Sequence, residues 1–405
     1  MRVLERKLNI PEKPESIVLD LQSAGFETYI VGGAVRDLLL GTEPKDFDIS
    51  TSATPEEIRE FFGRKRARII GKRFRLVHLH TKGELFEVST FRQNPNPQSD
   101  ETDQDSGNSA MILSDNNFGS AEDDAWRRDF TVNALFYNPE NHTIIDYTGN
   151  GIDDINSGVV RAIGDPDVRF AEDPVRLLRA LKLVAQYNFS LSATTENALF
   201  RKIDLLQSAS ISRLSLEFEK ILQSGCCEKY LQTFHDYGML KFFLPTLDSL
   251  WGSPYIEEML DLLDERSERI YRKLYRNSVS LVLAICAIPV LKQEIKCEPG
   301  VIWDSRLASM PIIQNAVEQA VRPLTPVQRI KESAFHILKQ LPSLTILDDK
   351  NKAFQMSKHS YTHARELLMI YASQFLENYS TLADYWPGFK PSRPKHRRKP
   401  GKHHS

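Results

Sequence analysis

Apolar and polar positions alternate differently in the two halves of the chain. Up to about residue 163 the apolar residues come in short runs or with period two, the signature of strands. Strands are predicted over 29–31, 68–70, 76–80 and 85–90, the last two joined by the turn Thr81-Lys-Gly-Glu84. Helices flank them. One opens the chain over 14–24, and Thr54-Pro-Glu-Glu57 starts another, with Thr54 as N-cap, Pro55 at the first helical position and Glu57 closing a capping box. A further strand pair is expected to bracket Asp146-Tyr-Thr-Gly-Asn-Gly151, with the sheet ending near Ile163. From 174 to about 386 the spacing is helical: Val175, Leu178, Leu181 and Ala185, then 216–222, then 364–382. The longest apolar run, 279–291, contains Ser280, Cys286 and Pro289 and is too short to span a bilayer, so it predicts a buried core helix. The fold class is therefore α+β: a small mixed β-sheet with flanking helices, followed by an all-α region.

The densest chemistry sits where the first strand ends. Tyr29-Ile-Val-Gly-Gly-Ala-Val-Arg36 runs from an apolar strand into two glycines that let backbone approach a ligand, then into a helix starting near Ala34. The helix N-terminus would face whatever the glycines admit, which suits a triphosphate. Lys45-Asp-Phe-Asp-Ile49 then reads as a strand, whose alternation places Asp46 and Asp48 on one face and Phe47 on the other. Two such carboxylates can hold two Mg²⁺ ions, one to activate an attacking hydroxyl and one to steady a leaving pyrophosphate. Gly-Gly alone is an ordinary turn and Asp-x-Asp alone an ordinary solvated strand edge. Their order within about twenty residues is what points to nucleotide transfer.

Two later strings carry charge. In Asp123-Asp-Ala-Trp-Arg-Arg-Asp-Phe-Thr-Val-Asn-Ala-Leu135, Arg127 and Arg128 can neutralise phosphate, and Asp129 can either complete a metal site or accept a ribose hydroxyl. Ordinary surface ion pairing is the simpler meaning of an Arg-Arg-Asp triplet. In Phe170-Ala-Glu-Asp-Pro-Val-Arg-Leu-Leu-Arg-Ala180, Asp173 before Pro174 is a helix cap, and Arg176 lies about one turn along the same helix.

With these strings in hand, the sequence resembles the tRNA nucleotidyltransferase and poly(A) polymerase family, in its bacterial branch. The resemblance implies a nucleotidyltransferase head at 1–165, a helical neck that binds RNA and nucleotide at 166–255, a helical C-terminal RNA-binding region at 256–386 and a tail at 387–405. It implies that Asp129 is the third member of a carboxylate set with the metal-holding Asp46 and Asp48, a role for which Glu87, mid-strand in Leu85-Phe-Glu-Val-Ser-Thr90, competes. Gly32, Gly33 and Arg36 would cradle the triphosphate, and Asp173 and Arg176 would read the nucleobase. Arg68 to Leu79, with Ser114-Asp-Asn-Asn-Phe-Gly-Ser120, is similar to strings that separate poly(A)-adding from CCA-adding members, and Ser212 to Leu222 looks like the family's neck. The implied activity is addition of AMP from ATP to RNA 3′ ends with two Mg²⁺ ions. CCA or A addition to tRNA shares every catalytic motif, and an inactive RNA-binding relative is opposed by the intact motif set.

Composition refines this only at the end of the chain. Formal net charge is −2, yet 390–405 is basic, with Arg393, Lys395, Arg397, Arg398 and Lys399 placed to contact RNA phosphates. The tail has almost nothing apolar to bury and is expected to be disordered unless bound, as is the Asn-, Gln-, Asp- and Ser-rich stretch 92–109. Cys226, Cys227, Cys286 and Cys297 show neither a disulfide framework nor zinc-ligand spacing, and the charged start lacks the apolar core of a signal peptide. A cytoplasmic enzyme with no membrane partner is the expectation.

Overall fold

Eight strands of the N-terminal part form one mixed sheet: β1 (Arg2–Glu5), β2 (Thr28–Val31), β3 (Asp48–Thr51), β4 (Ala67–Ile70), β5 (Leu76–Thr81), β6 (Glu84–Thr90), β7 (Leu135–Asn138) and β8 (Thr143–Asp146). Their order is β1-β8-β7-β2-β3-β6-β5-β4. Every neighbouring pair is antiparallel except β3 and β6, which run parallel with Ile49 opposite Val88. The computed structural model describes residues 1–71, 75–93 and 118–388. The polar stretch after residue 93, most of the Ser114–Ser120 string and the basic residues Arg393, Lys395, Arg397, Arg398 and Lys399 lie outside the described residues. The chain divides into two compact units, Met1–Ala209 and Ser210–Ser405.

Around the sheet of the first unit lie α1 (Glu12–Ser23), α2 (Gly33–Leu39), α3 (Pro55–Phe62), α4 (Ala121–Trp126), α5 (Gly151–Ser157), α6 (Pro166–Glu172), α7 (Val175–Tyr187) and α8 (Ala193–Lys202). Alternation along β2 decides what packs where. Tyr29 and Val31 join Phe91, Phe136 and the α4 residues Ala121 and Ala125 in one cluster, while Ile30 faces the other way and is fully buried. The α3 capping box forms as the sequence predicts: Thr54 N–H donates to Glu57 Oε2 (2.7 Å) and Glu57 N–H to Thr54 Oγ1 (3.3 Å). Lys82 and Gly83 both take positive φ (46° and 85°), the primed turn that matches the strand twist of the β5–β6 hairpin.

Three expectations shift. The late strand pair is β7 with β8, and it precedes the Asp146–Gly151 segment instead of bracketing it. The reason is Asp146, whose buried carboxylate accepts from Thr148 Oγ1 (2.7 Å), Gly149 N–H (2.9 Å) and Ile152 N–H (3.2 Å), turning the chain straight into α5. The main sheet thus ends at Asp146, and β9 (Val159–Val160) pairs with β10 (Ser190–Leu191) in a separate parallel ladder. Third, β3 begins at Asp48, so Asp46 lies just before the strand.

The second unit is helical among the described residues, from Ile211–Leu222 to Tyr379–Tyr385. The predicted core helix is Val279–Ile295, buried from Leu281 through Lys292. Lys292 Nζ reaches both carboxylate oxygens of Glu258 (2.6 and 2.8 Å), and Tyr371 donates its hydroxyl to the same carboxylate. No helix of the described residues is long and apolar enough to cross a membrane.

Candidate active site

At the end of β2 the backbone turns through Gly32, with φ 72° and ψ −131°, a conformation open to glycine and strained for other residues. A Cβ added there would stand 2.9 Å from Arg128 Nη1, so the turn is pressed against the second charged string. Arg128 in turn binds Asp124 Oδ2 (2.9 Å) and the carbonyl of Asn133 (3.2 Å) and lies over the Phe136 ring. Its contact with Ser50 Oγ, at 3.5 Å, reaches β3. The i, i+4 pairing with Asp124 is the ordinary helix-surface meaning of this string, and here it serves to fix the glycine turn.

Arg36, three residues into α2, is only 8% exposed. Its guanidinium donates to Asp37 Oδ1 (2.7 Å), to the Asn133 side chain and to Tyr187 Oη (2.6 Å), and it stacks on the Tyr187 ring at 4.4 Å. Tyr187 Oη donates to the same Asp37 oxygen (2.7 Å), and burial, ahead of the neighbouring charges, pushes this phenol's pKa up, which keeps it a donor. The glycine motif, the second string and the end of α7 thus meet at one guanidinium.

Asp48 opens β3 opposite Val31 of β2, and both Asp46 and Asp48 are exposed. Because Ile49 pairs in parallel with Val88, the residues one step before each, Asp48 and Glu87, come level on adjacent strands; the Glu87 carboxylate lies 3.5 Å from His78 Nε2. Among the described residues no three His, Cys, Asp or Glu side chains gather as a metal site.

Asp129 is held by arginines. Its two carboxylate oxygens are taken by Arg176 Nε and Arg179 Nη1, each at 2.8 Å, and the side chain is 19% exposed. Burial works against its charge, but Arg179 and Arg176, then Arg169, outweigh it and hold the carboxyl below the usual aspartate range. These two bonds join the second string to the third. Arg176, 7% exposed, also lies 3.4 Å from Glu172, and Arg169 spans Glu172 (3.1 Å) and the carbonyls of Arg127 (2.6 Å) and Arg128 (3.0 Å). Asp173 accepts from Val175 N–H (3.1 Å) and so ties down the start of α7, although the residue at the N-cap position is Pro174 and not Asp173 as expected.

Sequence reasoning passed over Asp37, Asn133, Tyr187, Asp124 and Arg169. Asp37 had a local signal, standing beside Arg36 in an Arg-Asp doublet, and Asp124 sits four residues before Arg128. Nothing local marks Tyr187.

The family model described as "Poly A polymerase head domain" matches residues 28–161, and "Probable RNA and SrmB- binding site of polymerase A" matches 188–250. The chain is 34% identical to "Poly(A) polymerase I" of Salmonella typhi over 395 residues, covering 95% of this chain and 84% of the relative. It is also 34% identical to the "CCA-adding enzyme" of Bacillus velezensis, over 260 residues that make up 62% of this chain and 61% of that one. Among solved structures, the Bacillus stearothermophilus CCA-adding enzyme in complex with CTP superposes with a TM-score of 0.63 at 23% identity, over 93% of this chain and 82% of that chain, and so shares its fold. With the glycine turn, the arginine-bound Asp129 and the capped α7 in these positions, and a poly(A) polymerase matched along nearly its whole length, the chain belongs to the poly(A) polymerase and tRNA nucleotidyltransferase family and is a nucleotidyltransferase.

Proposed function

We propose that this nucleotidyltransferase is a template-independent poly(A) polymerase that adds AMP from ATP to RNA 3′ ends in the cytoplasm. The observation that carries this reading is the extent of likeness: 95% of the chain aligns with a poly(A) polymerase I, against 62% with a CCA-adding enzyme. The CCA-adding alternative rests on the 34% identity to a CCA-adding enzyme over 62% of this chain.

In this reading Asp46 and Asp48 hold Mg²⁺, and Glu87, beside them on the sheet, is a better third carboxylate than Asp129. Two exposed carboxylates fit such an ion, since Mg²⁺ binds through one or two carboxylates and takes its other ligands from substrate phosphates and water. When bound, it would lower the pKa of the RNA 3′-hydroxyl and neutralise charge on the departing pyrophosphate. The chain itself supplies position. Gly32 and Gly33 bring backbone close to the triphosphate, and Arg36, anchored on Asp37 and Tyr187, sets the first turn of α2 beside it. Asp173 and Arg176 read the adenine edge, with Asp129 orienting Arg176 and Arg179. Residues 1–165 carry the chemistry, 166–255 the nucleotide and RNA 3′ end, 256–386 the upstream RNA, and the tail residues Arg393, Lys395, Arg397, Arg398 and Lys399 add phosphate contacts.

The deciding experiment supplies ATP or CTP singly with a generic RNA and with tRNA lacking its CCA end. Extension of the generic RNA by many A residues with ATP supports the reading; CTP incorporation confined to the truncated tRNA replaces it with the CCA-adding alternative.

A further inference from the structure

The second unit holds a cleft of about 410 Å³ with no part in the site described above. Its lining mixes apolar residues (Ala308, Ile313 and Pro342 among them) with donors. Lys339 and Lys358 both line it, and among the described residues neither meets a carboxylate: Lys339 Nζ rests on Met310 Sδ at 3.0 Å and Lys358 Nζ on Gln355 Oε1 at 2.8 Å. Burial, and then the charge of Lys339, lowers the Lys358 pKa. Two helices of 12 and 15 residues, Met310–Val321 and Tyr361–Phe375, follow Ser309 and Ser360, which also line the cleft, and neither serine side chain caps its helix; Pro311 has no N–H and Tyr361 N–H is taken by the Lys358 carbonyl (3.0 Å), so the first turns offer only their remaining N–H groups.

The independent observation is Trp303. It lines the same cleft, is 2% exposed, and its indole N–H finds no acceptor, although a buried Trp N–H ordinarily has one. The lining is also built rather than incidental. Gln340, 2% exposed, donates to the Gln355 carbonyl (2.9 Å) and accepts from Ser360 Oγ (2.7 Å), tying three segments together under the lysines.

We propose that this cleft is a phosphate-binding site, occupied by a phosphodiester of the RNA strand. Two lysines, two helix starts and an indole N–H supply charge and donors and leave only an anion wanting. The RNA source rests on the function proposed above; the phosphate site does not.

The test uses the full chain and fluorescent oligo(A), with binding read by anisotropy across a salt series, without turnover. Lys339→Ala/Lys358→Ala should weaken binding about tenfold and make the slope of log K against log salt shallower by roughly 0.7 for each phosphate that the variant no longer holds. The KM for ATP at saturating RNA should stay unchanged. Trp303→Phe, which keeps a ring and removes the donor, should weaken binding less, and the wild-type Trp303 indole N–H resonance should shift when oligo(A) is added. Unchanged affinity and slope in a double-lysine variant with wild-type thermal melting would overturn the site, whether or not Trp303→Phe folds. A raised KM for ATP with unchanged oligo(A) affinity would assign the cleft to free nucleotide and overturn the RNA source. Absence of AMP addition by the wild-type chain would count against the proposed function and leave the binding result to be judged by itself.

Discussion

Arg36, Arg176 and Asp129 of the first unit and Lys292, Glu258, Arg266 and Glu366 of the second are all sheltered charges, but they are finished differently. Lys292 and Glu258 are completely enclosed and close on each other and on Tyr371. Around Asp129 the network is left ajar: Arg179 is 39% exposed, and the carboxylate itself keeps a solvent-facing edge. A closed pair fixes helices to one another and offers nothing to a ligand, whereas an open one holds guanidiniums in place while leaving them reachable. Burial of charge alone therefore does not mark a site in this protein; burial with an accessible edge, inside a recognisable string, does.

This contrast can be broken at several points. The largest effect is expected from Asp46→Ala or Asp48→Ala, each lowering nucleotide addition by about three orders of magnitude or more while the thermal midpoint stays put, because both side chains are exposed. Near-normal turnover in either would remove the metal-holding role. Next, Lys292→Met should cost about 3–5 kcal/mol in urea unfolding, since it strands a buried carboxylate, and the companion change Glu258→Leu should recover most of it. If the single variant is as stable as the parent, the pair is not closed in the sense used here.

Glu366 gives a pH test. Burial, opposed by Arg266 and Arg269, pushes its pKa up to about 7 from an ordinary 4.5. A carboxyl raised in the folded state contributes stability that is whole below the unfolded pKa and is lost as pH rises through the folded one. The wild type should thus lose up to about 3 kcal/mol between pH 4.5 and 8 relative to Glu366→Gln, which has no such titration. Parallel pH profiles for the two proteins would show that Arg266 compensates the charge fully. The smallest effects belong to the capped start of α7. Asp173→Ala should cost roughly 0.5–2 kcal/mol by removing the acceptor of Val175 N–H. Arg176→Ala should flatten the ATP-to-CTP ratio of kcat/KM, and a ratio unmoved in both variants would return this helix start to a purely structural role.

What could be read ahead of the structure was what local chemistry dictates. The Thr54 capping box, the Lys82-Gly83 hairpin and the glycine turn after β2 are each specified within four or five residues, and each forms. The α+β division followed from a change of period that no distant contact can disguise. Illegible were features joining remote positions. Asp129 meets Arg179 across 50 residues and Arg36 meets Tyr187 across 151, so the sequence could not name the arginines that bind Asp129, and Tyr187 stood out in no way. Strand β1 was missed because four residues with charged ends, Arg2-Val-Leu-Glu5, carry too little pattern to declare themselves. Likewise the β7–β8 pair was misplaced because the deciding group, Asp146, acts through bonds to the residues after it.

The pairing of β1 with β8 has a consequence in time. Arg2 lies opposite Asp146, so once β1 has been made it has no partner until some 140 residues more have followed, roughly 7–30 s at ordinary translation rates. Throughout that interval β1 is a tether without a dock, whereas β2 meets its partner β3 within about twenty residues. The edge carrying β1 is then sealed only after the centre bearing Asp48 has been laid down, which makes β1 one of the last pieces of this sheet to settle.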